Sequence, residues 1–229
     1  MNLLRKVKLP LEHTDFLALL LSADSFYIGL HLVHKIARIF DWPTVMRGGV
    51  FSLVQDLGLA ESFQYAKEFW IALLCAWLVL RKRQPAYLGW SLLFVYLLLD
   101  DMLTIHELLG NWLVGLLNLD PTANLISRFR IQDIGELAVS GIFGLLFFSL
   151  IAAAYYRGTQ ETRTNFRYLL GMLMVLVGFG VVLDVADRLL DIKILIDLAV
   201  MIEDGGEMLA MSFICWFAFV LARREDKKG

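Results

Sequence analysis

Leu99-Asp100-Asp101-Met102-Leu103-Thr104-Ile105-His106-Glu107 and Glu203-Asp204-Gly205-Gly206-Glu207 are the two segments whose residue types invite chemistry. Each sets carboxylates in apolar surroundings, and the first adds an imidazole. Carboxylates gathered at one level repel one another and need protons, arginine partners or a cation in compensation. Oxygen donors with a minority of imidazole nitrogens suit manganese, iron or zinc, and an all-oxygen subset suits magnesium or calcium. The residues that could contribute to such a divalent-metal site are Asp100, Asp101, His106, Glu107, Glu136, Asp184, Glu203, Asp204, Glu207 and His31.

Helical spacing supports convergence. Asp100 and Glu107 are seven apart, with Thr104 near the same face, and Glu203 and Glu207 are four apart. Asp133 and Glu136 are three apart, as are Asp184 and Asp187, while Asp24 and His31 are seven apart. On an ideal helix His106 points roughly 120° away from Asp100, so it meets another neighbour unless the backbone is distorted. A carboxylate facing lipid costs about 2.5–3.5 kcal/mol, which turns such stripes toward a bundle interior. Plainer roles compete at several positions. Asp133 and Glu136 suit the positive end of a helix. Arg188 can pair with Asp184 or Asp187 within one helix. His31 and His34 suit an interface, and Gly171, Gly178 and Gly180 suit close helix packing.

The segment Leu99-Asp100-Asp101 through Ile105-His106-Glu107, together with Glu203-Asp204-x-x-Glu207-Met208-Leu209, resembles a group of uncharacterised bacterial multi-pass membrane proteins. That group carries an Asp-Asp/Glu-x-x-x-Ile-His-Glu segment and a later Glu-Glu-x-x-Glu-Met-Leu segment. Here Asp101 and Asp204 stand where Glu is usual, which shortens the reach of both side chains. The resemblance covers parts of two helices; it implies a shared site and no particular reaction.

These side chains need elements to hold them, and the composition says which. Of 229 residues, 59% are hydrophobic and 19% charged, below the roughly 25% charge of soluble domains. The net charge of -2 gives no basic excess for nucleic acid. Leu-rich runs near 14–35, 65–81, 86–109, 132–156, 167–188 and 196–222 are each long enough for a bilayer core of about 30 Å. The expected fold is all-α, a polytopic bundle of about six transmembrane helices forming one domain over residues 1–229. The first run continues to Val33 without a small-residue cleavage site, so it reads as an uncleaved helix. Cys75 and Cys215 lie in apolar runs and read as packing residues. Asp120-Pro121 should break any helix in the connection 110–131.

Orientation follows from the basic residues. With the N-terminus inside, 13 of the 21 Lys and Arg fall on cytoplasmic segments, which puts both termini in the cytoplasm. Under that topology Asp100, Asp184 and Glu207 each lie roughly 21–24 Å along their helices from the cytoplasmic edge. The acids then share one layer in the outer third of the membrane. The leading expectation is a bacterial inner-membrane protein whose metal site hydrolyses a lipid-linked or periplasmic substrate. Two readings compete: a cation or proton transporter, and an assembly subunit whose acids pair with a partner's basic residues. The sequence contains no G-x-S-x-G elbow, Walker motif or dinucleotide fingerprint.

Overall fold

The computed structural model describes residues 13–43, 48–126, 129–183 and 193–224. Seven α-helices account for most of them: α1 His13–Ile39, α2 Leu59–Leu80, α3 Leu88–Leu103, α4 Ile105–Leu116, α5 Ile131–Arg157, α6 Gln160–Val177 and α7 Lys193–Arg223. Two short strands, β1 Asn124–Ile126 and β2 Phe129–Arg130, pair antiparallel before α5. Five segments are long and apolar enough to cross a membrane: His13–Ile39, Leu59–Leu80, Pro85–Leu103, Ile131–Arg157 and Leu198–Arg223. Their outward faces are apolar, with Phe26 on α1 and Ile142 and Leu145 on α5 all more than half exposed. Hydrocarbon is the surrounding that such a surface suits.

Local signals explain the helix ends. Asp15 and Arg38 complement the dipole at the two ends of α1. Pro85 opens the tight turn 85–87 that leads into α3, where its missing N–H costs nothing. Asp133 accepts from the backbone N–H of Arg130 at 2.9 Å and from its guanidinium at 3.0 Å, closing the first turn of α5. Thr159 caps α6 by accepting from the Thr162 N–H at 3.2 Å. Beyond α4 the chain turns through Asp120-Pro121, as expected. There Asp120 accepts from the Thr122 N–H and hydroxyl at 2.9 and 2.7 Å, bonds that hold its carboxyl below the ordinary range.

The structure revises two spans. The helix expected over 86–109 is two helices, because Thr104 adopts left-handed backbone angles (φ 47°, ψ 46°) and separates α3 from α4. In the stretch expected as a helix over 167–188, α6 stops at Val177 and the backbone widens into a π-helical turn over Gly178–Leu183. Residues 184–192, with Asp184, Asp187 and Arg188, lie outside the described residues.

Packing makes α7 the axis. In its spanning window 61% of residues are buried within the protein, against 17% for α1 and α5, so α1, α2 and α6 surround it. One half of the bundle is a dry core in which Ile71, Trp90, Phe94, Ile214, Cys215 and Ala218 are almost wholly buried. Where α4 crosses α5 the backbones nearly touch. A Cβ on Gly110 would lie 2.7 Å from the Glu136 nitrogen, and one on Gly135 would lie 2.8 Å from the Gly110 oxygen. Only glycine permits that approach.

A buried ion pair joins three helices. The Lys67 ammonium on α2 donates to Asp24 Oδ1 on α1 at 2.9 Å, to the Met208 carbonyl on α7 at 2.8 Å and to Ser212 Oγ at 3.3 Å. Ser212 in turn donates to Asp24 Oδ2 at 2.6 Å, and Lys67, Asp24 and Ser212 are all fully buried. Removing one member leaves an uncompensated charge. We expect Lys67→Met to lower stability in detergent by about 3–5 kcal/mol, the usual cost of breaking a buried pair. The double variant Asp24→Leu/Lys67→Met should recover most of that loss, as read by thermal unfolding.

Candidate functional site

The N-terminal part of α2, the C-terminal end of α3, the first turn of α4 and the middle of α7 meet around a cavity of about 450 Å³. It lies at the end of the bundle opposite the basic segments at 81–83, 157–167 and 223–224. Asp100 and Asp101 come from α3, His106 and Glu107 from α4, and Asp204 and Glu207 from α7. The remaining wall is Glu61, Gln64 and Tyr65 from α2, with residues 53–57 of the preceding connection, Asp56 among them.

The break at Thr104 is what turns the α4 side chains inward. Once α3 stops, the Asp100 carboxylate reaches the start of α4: Oδ1 accepts the His106 N–H at 2.8 Å, and Oδ2 lies 3.1 Å from His106 Nδ1. Asp100 therefore caps a helix whose own N-cap residue, Thr104, makes no side-chain capping bond. The ideal-helix expectation that His106 points away from Asp100 fails because the helix is not continuous there.

Behind Asp101, the wholly buried Glu68 carboxyl lies close to the Asp101 carboxyl. Tyr65 donates its hydroxyl to the Asp101 carbonyl at 3.2 Å, bracing the same corner. On α7, Gly205 and Gly206 are buried, and a Cβ on Gly206 would strike the ring of Phe179. The glycines thus let α7 approach its neighbour closely at the level of Asp204 and Glu207.

Six of the ten expected site residues line this cavity: Asp100, Asp101, His106, Glu107, Asp204 and Glu207. Glu203 and Glu136 are outside the lining. Glu136 accepts from Gln132 Nε2 at 2.9 Å and sits at the α4–α5 crossing. His31 is buried, and its Nδ1 accepts the Leu53 N–H at 3.0 Å. It anchors the connection that walls the cavity, and neither it nor His34 is a surface residue. Asp184 falls outside the described residues.

Reading the sequence missed Glu61, Gln64 and Tyr65. Their spacing with Glu68, at intervals of three, four and seven from Glu61, marks one helical face that could have found them.

Among the described residues, the lining contains seven carboxyl side chains, one imidazole and no Lys or Arg. Gln64 is more than nine-tenths buried, yet its Oε1 has no hydrogen-bond partner among the described residues. A buried acceptor without a donor is costly, and a positively charged or N–H-bearing guest would relieve it. Among the described residues, no three His, Cys, Asp or Glu side chains already converge as a metal cage. The donors suit a divalent cation in kind, and their closure on one ion would need side-chain rotation.

His106 lies beyond the break that ends α3. The Asp100 carboxylate beside it raises its pKa above the ordinary 6.5, with burial opposing. Because the folded value is raised, the stabilisation is fully present below the unfolded value and is lost as pH rises through the folded one. The His106 ring signals in NMR should therefore titrate above 6.5, and Asp100→Asn should bring them back toward it. Thermal stability of the parent should fall over the same window, and that of Asp100→Asn should fall less.

No curated protein and no solved structure matches this chain. The family described as a domain of unknown function, DUF8692, matches residues 17–222. That match runs from α1 to the end of α7 and includes every helix that lines the cavity, so the chain belongs to the DUF8692 family.

Proposed function

We propose that this chain is an integral membrane protein that binds a cation in its acidic cavity, with a divalent metal as the first candidate. The observation that carries the reading is the lining, which among the described residues has seven acids, one imidazole and no basic side chain. Acids gathered on one lining repel one another, and protons or a cation among them relieve that repulsion. The partnerless Gln64 oxygen adds a neutral acceptor to the same wall. Manganese, iron or zinc would use His106 with the carboxylates. Magnesium or calcium would use oxygens alone and retain some water, which relaxes the demand for a tight protein cage.

Six spans with both termini cytoplasmic would open this cavity to the outer face, periplasmic in a bacterial inner membrane. Supporting that orientation, 13 of the 21 basic residues fall on the segments assigned to the cytoplasm. A cation held there serves hydrolysis of a lipid-linked or periplasmic substrate, with neighbouring carboxylates available to accept a proton. A carrier of cations or protons would need polar footholds through the other half of the bundle. There Trp90, Phe94, Ile214 and Ala218 pack without exposure, which favours a site open at one face.

Equilibrium dialysis of the purified protein against manganese, zinc, magnesium and calcium, with elemental analysis, tests the reading. We expect a stoichiometric ion, and we expect Asp101→Asn/Glu207→Gln to weaken its binding tenfold or more, about 1.4 kcal/mol per decade. An apo protein under every metal supply would end the metal reading. Ion flux in proteoliposomes abolished by Glu207→Gln would replace it with the carrier.

A further inference from the structure

A second cavity, of about 590 Å³, lies at the opposite end of α3, between α3 and α5. Its chemistry is the reverse of the first. Arg83 and Arg157 line it, and among the described residues no Asp or Glu does. Neither arginine has an acidic partner among the described residues. The N-terminal turn of α6, with Thr162 on the cavity wall, adds the partial positive charge of a helix start.

The rest of the cavity is an apolar trough running into the bundle. Leu88 and Leu92 are one turn apart on α3, and Leu150 is seven residues before Arg157 on α5. At 1.5 Å per residue, Leu150 lies roughly 10 Å deeper than Arg157 along the same face. The three leucines are 43–49% exposed, so the trough is open sideways to the surroundings of the bundle. Behind it Gly89 lets α3 close on α5, since a Cβ there would stand 3.2 Å from Ile151 Cγ1.

We propose that this cavity binds an anionic phospholipid, with the phosphate between Arg83 and Arg157 and one acyl chain along Leu88, Leu92 and Leu150. Charge complementarity selects the headgroup, because guanidinium groups match phosphate oxygens geometrically and electrostatically. Depth selects a lipid over a free anion: an inorganic phosphate would fill only the mouth and leave the leucine trough without an occupant. The two arginines lie with the chain's other basic segments, at the membrane face where anionic lipids meet polybasic surfaces. The proposal is independent of what the acidic cavity binds.

Native mass spectrometry of the full chain in detergent tests it, titrating phosphatidylglycerol, phosphatidylcholine with the same acyl chains, and inorganic phosphate. Phosphatidylglycerol should bind about tenfold more tightly than phosphatidylcholine. Arg83→Gln/Arg157→Gln should abolish that preference, whereas Arg81→Gln/Arg167→Gln, which removes the same charge outside the cavity, should keep it. Leu92→Trp, which fills the trough, should weaken phosphatidylglycerol binding with the arginines intact. Equal binding of the two lipids overturns the proposal, as does equal loss of preference in both arginine pairs. Displacement of the lipid by equimolar inorganic phosphate, with no effect of Leu92→Trp, shows a free-anion site instead.

Discussion

Lys67 has neither water nor lipid to solvate its charge, and all three of its protons are taken up within the bundle by Asp24, Ser212 and the Met208 carbonyl. In surroundings where an unsatisfied polar group costs several kcal/mol, that arrangement leaves α1, α2 and α7 little freedom to slide or rotate. Fixing the rotation of α2 has a consequence one residue on. With Lys67 turned toward α1 and α7, Glu68 is turned toward α3 and meets Asp101, and Glu61 and Gln64 are set into the cavity wall. The acidic cavity is thus built next to the ion pair, and Met208, whose carbonyl accepts from Lys67, is part of its lining.

The second determinant is the interruption at Thr104. A continuous helix through 86–109 would carry His106 around its axis and away from Asp100. Left-handed backbone at a β-branched residue is unfavourable, and the Asp100 cap on the His106 N–H offsets part of its cost. The backbone contact of Gly110 with Glu136 and Gly135 then seats α4 on α5. His106, which a continuous helix would have turned elsewhere, now faces the same space as the carboxylates.

The two ends of α3 show how charge is divided along the molecule. Among the described residues, one end faces a cavity with seven acids and no base, the other a cavity with two arginines and no acid, and between them lies the aromatic and aliphatic core around Trp90 and Phe94. The length of packed core between the two keeps the opposite charges too far apart to pair directly. Each end therefore suits guests of charge opposite to its own.

Much of the fold is legible in the residues themselves. Long apolar runs mark α1 and α5 to within a few residues, since hydropathy reports burial in hydrocarbon whatever the neighbours are. The acids of 100–107 and 203–207 stand out for the same reason, as costly groups in apolar sequence, and most of them do line the cavity. Hydropathy carries no signal of the turn at Thr104, because the residues on both sides remain apolar. Nor could it pair Asp24 with Lys67 across 43 positions or give His31 its bond to the Leu53 N–H. Composition and periodicity determined which segments are helical and which side chains need shelter. Only tertiary packing decided which of them face each other, because orientation about a helix axis is set by the partners a side chain meets.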